Sequence, residues 1–282
     1  MQRLRAFFQQ IVFSINTKAV LLFLAAVLVF ITFPLSAKAD TVGDVDALIQ
    51  QASKENSEEN YSDAENHYRQ ALSLSVRSIG GMSSVAGRSC RSLAEFLMNR
   101  GRYVDADHYM QRALVIASGY SSASQDSEGE FQNTRQFVSD ILQNPHRLVG
   151  SLEVAATLSS LADLRIREGK YSDAERMLKR CVQIYRNSGS TAGSPLNYSA
   201  NSVQLLAEHQ RSLAQVLYKE GNSMEAEEAF KAYVDTVRQA KGPSPELADA
   251  LEHLSSFYRS QSRGSDADAA ESEAKDLQSR FH

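Results

Sequence analysis

The sequence predicts an all-α fold in which about five helical hairpins stack side by side. Residues that favour helices dominate the chain, which contains only 5 prolines and no tryptophan among 282 residues. No Asn-Gly or Asp-Gly turn is present, and alternating runs of β-branched residues are scarce, so strands are not indicated. A short phrase also recurs along the chain, which is typical of repeat proteins.

The N-terminal segment differs from the rest of the chain. Residues 1–39 contain four basic and no acidic residues, and residues 19–33 form an apolar run with a single threonine. A proline ends the run, and an A-x-A sequence up to Ala39 follows, which is typical of a cleaved secretory signal peptide. As a helix the run would reach ~22 Å, short of a ~30 Å hydrocarbon core. We therefore expect cleavage after Ala39, with retention of residues 19–35 as a membrane anchor as the alternative.

The charge of the remaining chain limits its partners. Without residues 1–39, 26 Lys and Arg oppose 34 Asp and Glu, which is a net charge of −8. Such a chain is a poor partner for phosphate backbones, so nucleic acid is not an expected partner.

Five segments of the chain share one pattern, of which RIREGKYSDAERMLKRCVQIY is an example. Each contains an alanine preceded by an acidic residue, and these alanines are Ala64, Ala106, Ala174, Ala226 and Ala267. Five residues before the last four of them stand Gly101, Gly169, Gly221 and Ser262. Seven residues after each alanine a small residue recurs, with Tyr233 as the exception.

Each feature of this pattern has a role in a helical hairpin. A leucine and the apolar residue four positions later form a stripe on the first helix. The glycine ends that helix because it adopts a left-handed conformation at little cost. The acidic residue before the alanine falls in the first turn of the second helix, where the helix dipole favours it. Since one hairpin cannot bury its own apolar face, several hairpins must stack.

The pattern resembles the tetratricopeptide repeat family over roughly residues 42–280. The resemblance is carried by Leu161-Ala162, Gly169, Tyr171, Ala174 and their equivalents. Segments such as GPSPELADALEHLSSFY resemble the longer repeats of kinesin light chain-like proteins. The resemblance implies a right-handed α-α superhelix whose first helices line a concave groove, and in the family that groove binds peptides.

The spacing of the repeats predicts the domain organisation. Successive alanines are 42, 68, 52 and 41 residues apart, so two intervals are unusually long. We predict a signal peptide at 1–39, two hairpins at 40–117, an insertion at 118–150 and three hairpins at 151–282. The insertion is expected to contain a loop and a short amphipathic helix, serving as an ornament, as a flap over the groove or as a partner site.

No pattern typical of catalysis or metal binding is present. The 6 histidines include none in H-E-x-x-H spacing, and neither C-x-x-C, G-x-G-x-x-G nor G-x-S-x-G occurs. We therefore expect no catalytic residues, no cofactor, no metal and no small-molecule substrate. The catalytic alternative is a pocket beside the insertion that uses Asp140 and His146.

Cys90 and Cys181 stand in segments with helical patterns. An exported protein could pair them, but spacing alone does not show that they meet. We expect two buried apolar side chains, and a disulfide between them stays open.

The first helix of each hairpin is expected to line the inner face of the stack. Residues opposite the apolar stripe include Glu95, Met98, Ser159, Asp163, Glu208, Gln215, Tyr218, Asp249, Glu252 and Ser256. Seven more are predicted to bind a peptide: Arg88, Arg91, Asn99, Arg167, Arg211, Lys219 and Arg259. Arginine and lysine capture carboxylates or the backbone carbonyls of an extended segment. Of the family's carboxylate-clamp set, only Asn99 is recognisable.

The sequence thus predicts an exported, non-catalytic scaffold that binds a protein or peptide in the periplasmic or secreted space of a bacterium. The alternative is a membrane-anchored assembly factor of an envelope complex that retains residues 19–35. A membrane is an expected partner only if the N-terminal segment stays uncleaved.

Overall fold

The computed structural model describes residues 41–119, 152–189 and 200–281. Within these ranges the regular secondary structure is α-helical and no strand occurs, which confirms the predicted all-α class. The described residues fall into two compact units, one that ends at Ser89 and one that begins at Cys90. The predicted signal peptide, nearly all of the predicted insertion, and with it Asp140 and His146, lie outside the described residues.

The first unit is built around a small aliphatic core. It contains α1 at residues 41–57, α2 at Tyr61–Ser78 and the beginning of α3, which spans Ser84–Asn99. The core consists of Val45, Ala71 and Val85, against which Val42, Leu48, Ile49, Leu74 and Ile79 pack. These residues come from all three helices and from the connection before α3, so burial of apolar surface holds the unit together.

The second unit contains the rest of α3 and a series of further helices. These are α4 Tyr103–Ala117, α5 Leu152–Arg167, α6 Tyr171–Gly189, α7 Ala200–Lys219, α8 Ser223–Lys241, α9 Pro245–Ser260 and α10 Gly264–Phe281. Among the described helices, each one from α4 to α9 packs on the next one in the series. This order of contacts is the one expected for hairpins that each cover the apolar face of a neighbour.

One hydrogen-bond arrangement forms the turn inside the hairpins, as the turn between α5 and α6 illustrates. Gly169 N–H donates to the Ile166 carbonyl at 3.0 Å, and Lys170 N–H donates to the Arg165 carbonyl at 2.8 Å. This pair of bonds satisfies carbonyl groups at the end of α5. The Lys170 carbonyl accepts from Ala174 N–H at 3.2 Å, so the same residue begins α6.

The arrangement recurs in the other hairpins. The equivalent residue pairs are Glu59–Asn60, Gly101–Arg102, Gly221–Asn222 and Ser262–Arg263. Gly101, Gly169 and Gly221 have φ of 75°, 74° and 84°, which confirms that they end the first helices in a left-handed conformation. Ser262 and Glu59 adopt φ of 59° and 65° at the same place, a conformation that costs a residue with a Cβ about 1–2 kcal/mol.

The small residues of the repeat lie where helices meet. The five alanines that define the repeats, Ala64, Ala106, Ala174, Ala226 and Ala267, are fully buried. Cys181, at one of the later small positions, is also fully buried, and its Sγ donates to the Ala155 carbonyl of α5 at 3.2 Å. Cys90 is buried as well, and neither cysteine is in a disulfide. The predicted burial of both cysteines is therefore confirmed.

Candidate functional site

Helices α7, α8 and α9 enclose a groove of about 920 Å³. The groove is lined by the first half of α7, the second half of α8 and the first turns of α9. Ser244 fixes where α9 begins, because its Oγ accepts a hydrogen bond from Leu247 N–H at 3.2 Å and Pro245 follows it directly. This start places Glu246 and Asp249 beside the groove.

The groove has an apolar and aromatic floor. Val203 and Leu206 of α7 and Val237 of α8 contribute aliphatic side chains. Tyr233 adds an aromatic ring, whose centroid lies 6.4 Å from that of His253 on α9. Tyr233 is the residue that breaks the small-residue pattern of the repeats, so this exception was the sequence signal for the groove. Its role was missed because periodicity alone does not show which side of a helix stays uncovered.

Negative charge predominates on the groove walls. Glu208 on α7 and Glu246, Asp249 and Glu252 on α9 line the groove together with the basic residues Arg211 and Lys241. Lys241 Nζ pairs with Glu246 Oε1 at 3.3 Å. Within the described ranges, Glu208, Asp249 and Glu252 form no ion pair. Two of them accept hydrogen bonds from neutral amides: Gln204 donates to Glu208 at 3.1 Å and Gln278 donates to Glu252 at 2.6 Å.

His253 lines the groove with a lowered pKa, so it is less readily protonated than an ordinary histidine. Burial of its ring lowers its pKa, and the guanidinium of Arg211 lowers it further. Asp249 and Glu252 act in the opposite direction, but the pKa of His253 remains below its ordinary value. Four carboxylates therefore face two basic side chains across the groove.

The groove contains one of the seven predicted peptide-binding residues, Arg211. Glu208, Asp249 and Glu252, which the sequence placed on the same face, line it as well. Lys219 lies further along α7, exposed and outside the groove lining. Arg211 thus sits among carboxylates of both first helices.

Two more predicted residues lie on the first helices of the preceding hairpins. Arg91 Nε lies 3.8 Å from Glu95 Oε1 on α3, and Ser160 of α5 donates to the same Glu95 oxygen at 2.9 Å. On α5, burial raises the pKa of Asp163 and the exposed Arg167 opposes that rise. Each of these arginines is therefore accompanied by a carboxylate on its own helix.

The remaining predicted residues do not line the groove. Arg88 pairs with Asp46 inside the first unit at 3.2 Å. Arg259 pairs with Glu271 of α10, and Asn99 is exposed at the end of α3. Peptide binding by all seven residues stays a prediction.

Met98 was expected on the exposed face of α3, and this expectation is wrong. Its side chain is only 6% exposed, and Phe96 and Leu97 beside it are also buried. The buried arc at the end of α3 is therefore wider than a single apolar stripe, which is why periodicity misplaced this residue.

The described part of the chain offers no arrangement typical of metal binding. No group of three or more His, Cys, Asp or Glu side chains in residues 41–119, 152–189 and 200–281 is placed to hold a metal ion. In these same ranges, no helix is both long enough and apolar enough to cross a bilayer.

The fold and the groove define a class of protein, the all-helical repeat proteins built from stacked hairpins. Residues 154–188, which cover nearly all of α5 and α6, match the family model of the tetratricopeptide repeat. These residues are therefore a tetratricopeptide repeat, and the resemblance inferred from the sequence is confirmed. The sequence matches no curated protein.

Solved structures of similar fold include repeats of the kinesin light chain type. The nearly identical tetratricopeptide-like repeats of a putative kinesin light chain from Podosopora anserina match with a TM-score of 0.62 and 13% identity. The match covers 86% of this chain and 98% of that one. The MamA protein matches with a TM-score of 0.50 and 12% identity over 84% of this chain and 92% of that one. At these identities the similarity shows the fold alone.

Proposed function

We propose that the protein is a non-catalytic scaffold that binds another protein or a peptide in the groove between α7, α8 and α9. The observation that carries the proposal is the groove itself, which combines about 920 Å³ of space with an apolar floor and charged walls. Such a surface suits an extended segment, whose side chains contact the floor and whose backbone meets the polar walls. The tetratricopeptide match at residues 154–188 supports this function, because repeats of this family bind peptides.

The proposal includes a wider architecture. About five hairpins, at residues 40–117 and 151–282, would continue as a right-handed superhelix and extend the binding surface along their first helices. Arg88, Arg91, Asn99, Arg167, Lys219 and Arg259 would then contact other parts of the same partner. The acidic balance of the chain supports a protein partner over nucleic acid.

Steric blocking of the groove tests the proposal. Ala240 is exposed in the last turn of α8 and lines the groove, so Ala240→Trp fills space there without disturbing the core. Proteins would be captured from an extract of the native host with the wild-type chain and identified by mass spectrometry. We expect the Ala240→Trp variant to lose the partner that the wild-type protein captures.

Ala269→Trp is the matched control, because Ala269 is also exposed but lies on α10 outside the groove. It should retain the partner, and both variants should show the helical circular dichroism of the wild-type protein. Equal capture by both variants would mean that the partner binds elsewhere and would contradict the proposal.

The predicted arginines have their own test. Charge reversal at Arg91 and Arg167 should weaken capture, because both would lose donors to the carbonyl groups of the partner. Reversal of Arg77 and Arg280, exposed residues on second helices, is the control with the same change of charge. Unchanged capture by the first pair would remove the α3 and α5 surface from the binding site.

The proposal also includes export from the cytoplasm. The basic start, the apolar run at residues 19–33 and the A-x-A sequence support cleavage after Ala39. Mass spectrometry of the protein from its host should then show an N-terminus at Asp40. An intact N-terminus in the membrane fraction would instead support the anchored assembly factor that retains residues 19–35.

A further inference from the structure

We propose that the groove between α7, α8 and α9 binds a cationic, extended segment of a partner protein, in which lysine or arginine residues flank an apolar side chain. This inference rests on the proposed function and specifies the chemistry of the partner. It differs from the capture of partner carboxylates that the predicted arginines alone would indicate.

Unpaired negative charge in the groove carries the inference. Glu208 stands on α7, and Asp249 and Glu252 stand on α9, so carboxylates line two walls of the same space. Within the described residues none of the three forms an ion pair, whereas Lys241 and Glu246 at the groove edge compensate each other. A cation that enters between the walls would therefore gain attraction without displacing an existing ion pair.

The floor of the groove fits the rest of a lysine or arginine side chain. The aliphatic stems of these residues pack on apolar surface while their charged ends stay near carboxylates. Val203, Leu206 and Val237 provide such a surface beside Tyr233. An acidic segment would place its carboxylates against those of the groove walls, and such like-charge contacts oppose binding.

Arg211 limits where the cations can lie. It lines the same groove and acts electrostatically on Tyr233 and His253. We expect it to donate to a backbone carbonyl of the bound segment, with the cationic side chains placed towards Asp249 and Glu252. This arrangement makes an apolar residue suitable between the cationic ones.

Selection from a random peptide library tests the inference before any native partner is identified. The library would be displayed on phage and selected on the immobilised full-length protein, and the selected peptides would be synthesised with a fluorescent label. We expect these peptides to carry a net positive charge and an apolar residue. Their affinity, measured by fluorescence anisotropy, should fall as salt is raised from about 50 mM to about 300 mM, because salt screens exposed charges.

A charge-neutral variant locates the binding to the groove. The triple substitution Glu208→Gln, Asp249→Asn and Glu252→Gln should weaken binding of the selected peptides by about tenfold or more. The control is Asp44→Asn, Glu228→Gln and Asp276→Asn, which removes the same charge at exposed positions outside the groove. The control should bind as the wild-type protein does, and circular dichroism should show that both variants are folded.

Three outcomes would overturn the inference: selected peptides that are acidic or neutral, an affinity unaffected by salt, or equal affinity of the groove variant and the control. Failure to select any peptide would also count against it. The proposed function would survive each of these results if Ala240→Trp still abolished capture of the native partner. If Ala240→Trp captured the native partner as the wild-type protein does, both proposals would be wrong.

Discussion

Arg165 Nη2 donates a hydrogen bond to Asp107 Oδ1 at 2.6 Å and so joins α5 to α4. Arg165 also donates to Glu168 at 2.7 Å, and its side chain is only 11% exposed. At the equivalent position three of the other four hairpins have Leu97, Leu217 and Tyr258, and the first hairpin has Glu55. Burial acts to lower the pKa of Arg165, but Asp107 and Glu168 raise it on balance. An ion pair thus replaces an apolar contact between these two neighbouring helices.

Removal of Asp107 should destabilise the fold. Asp107→Ala leaves the buried Arg165 with Glu168 as its remaining carboxylate, and we expect the free energy of unfolding to fall by about 1–3 kcal/mol. Addition of Arg165→Leu introduces the leucine of the second and fourth hairpins and should recover most of the loss. Urea denaturation of the single and double variants measures both effects. A double variant as unstable as the sum of the two single variants would show that the ion pair does not couple α4 to α5.

Glu220 should make stability depend on pH in the neutral range. Its hydrogen bond with Glu175 raises the pKa of Glu220 to about 7, and burial adds to the rise. Within the described residues, Glu220 Oε2 is buried and has no hydrogen-bond partner. Lys179 pairs with Glu175 at 2.6 Å and with Glu225 at 2.7 Å, so three carboxyl groups and one ammonium group meet here.

The sign of this pH dependence follows from the direction of the shift. Because the pKa of Glu220 is higher in the folded chain than the ordinary 4.5, its stabilising contribution is complete below that value and is lost as pH rises to about 7. Glu220→Gln keeps an uncharged side chain and should be more stable than wild type above neutral pH, by at most about 1 kcal/mol because the Glu220 side chain is only partly buried. Urea midpoints at about pH 5 and about pH 8 measure the difference. If the two proteins differ in stability by the same amount at both pH values, the pKa of Glu220 is not raised in the folded protein.

The left-handed turn residues should respond to substitution in opposite directions. Ser262→Gly relieves a strained φ of 59° and should stabilise the protein by about 0.5–1 kcal/mol. Gly169→Ala imposes the same strain and should cost about 1 kcal/mol, although beyond its two chain neighbours no residue lies within 4 Å of the added Cβ. Gly264→Ala is the control, because Gly264 begins α10 without a positive φ and also has open space around it. Thermal unfolding of the three variants should place Ser262→Gly above wild type, Gly169→Ala below it and Gly264→Ala at or slightly above it.

Both cysteine thiols should be unreactive in the folded protein. Cys90 and Cys181 are fully buried, and burial raises the pKa of Cys90 to about 11 and raises that of Cys181 as well. Since the thiolate is the reactive form, a chromogenic disulfide reagent should label neither residue until denaturant is added. When the protein is denatured without a reducing agent, the reagent should label two thiols per chain. A signal for none would reveal a disulfide instead.

The hairpin turns could be predicted from the sequence, because the glycine, the acidic residue and the alanine of the repeat act on the backbone next to them. Gly101, Gly169 and Gly221 lie at the bends, and the acidic residues lie in the first turns of the second helices, as with Asp173 in α6. Glu59 was not foreseen at such a bend, since its side chain carries no signal for a left-handed conformation. Glu59 is exposed, and its conformation is held by the backbone hydrogen bonds of the turn, from Glu59 N–H to the Asn56 carbonyl and from Asn60 N–H to the Glu55 carbonyl.

The candidate site could be predicted only in part. Four residues were expected opposite the apolar stripes of their helices, and all four line the groove: Glu208, Arg211, Asp249 and Glu252. This could be predicted because helical periodicity determines which residues share a side of a helix. The position of the groove between α7 and α9 depends instead on the distance between these helices, and the spacing of residues in the sequence does not determine that distance. The acidic character of the groove was missed for the same reason, since its carboxylates come from two helices and are brought together only by packing.

In the hairpin turn a single residue ends the first helix and begins the second, so the turn contains no spare residue. An added residue at Lys170 would separate the N–H group that bonds to Arg165 from the carbonyl that receives Ala174. The long intervals of the chain accordingly fall between hairpins, as from Ala117 to Leu152, and not within them. Fluorescent tags and grafted epitopes should therefore be inserted in the connections between hairpins and not in the turns within them.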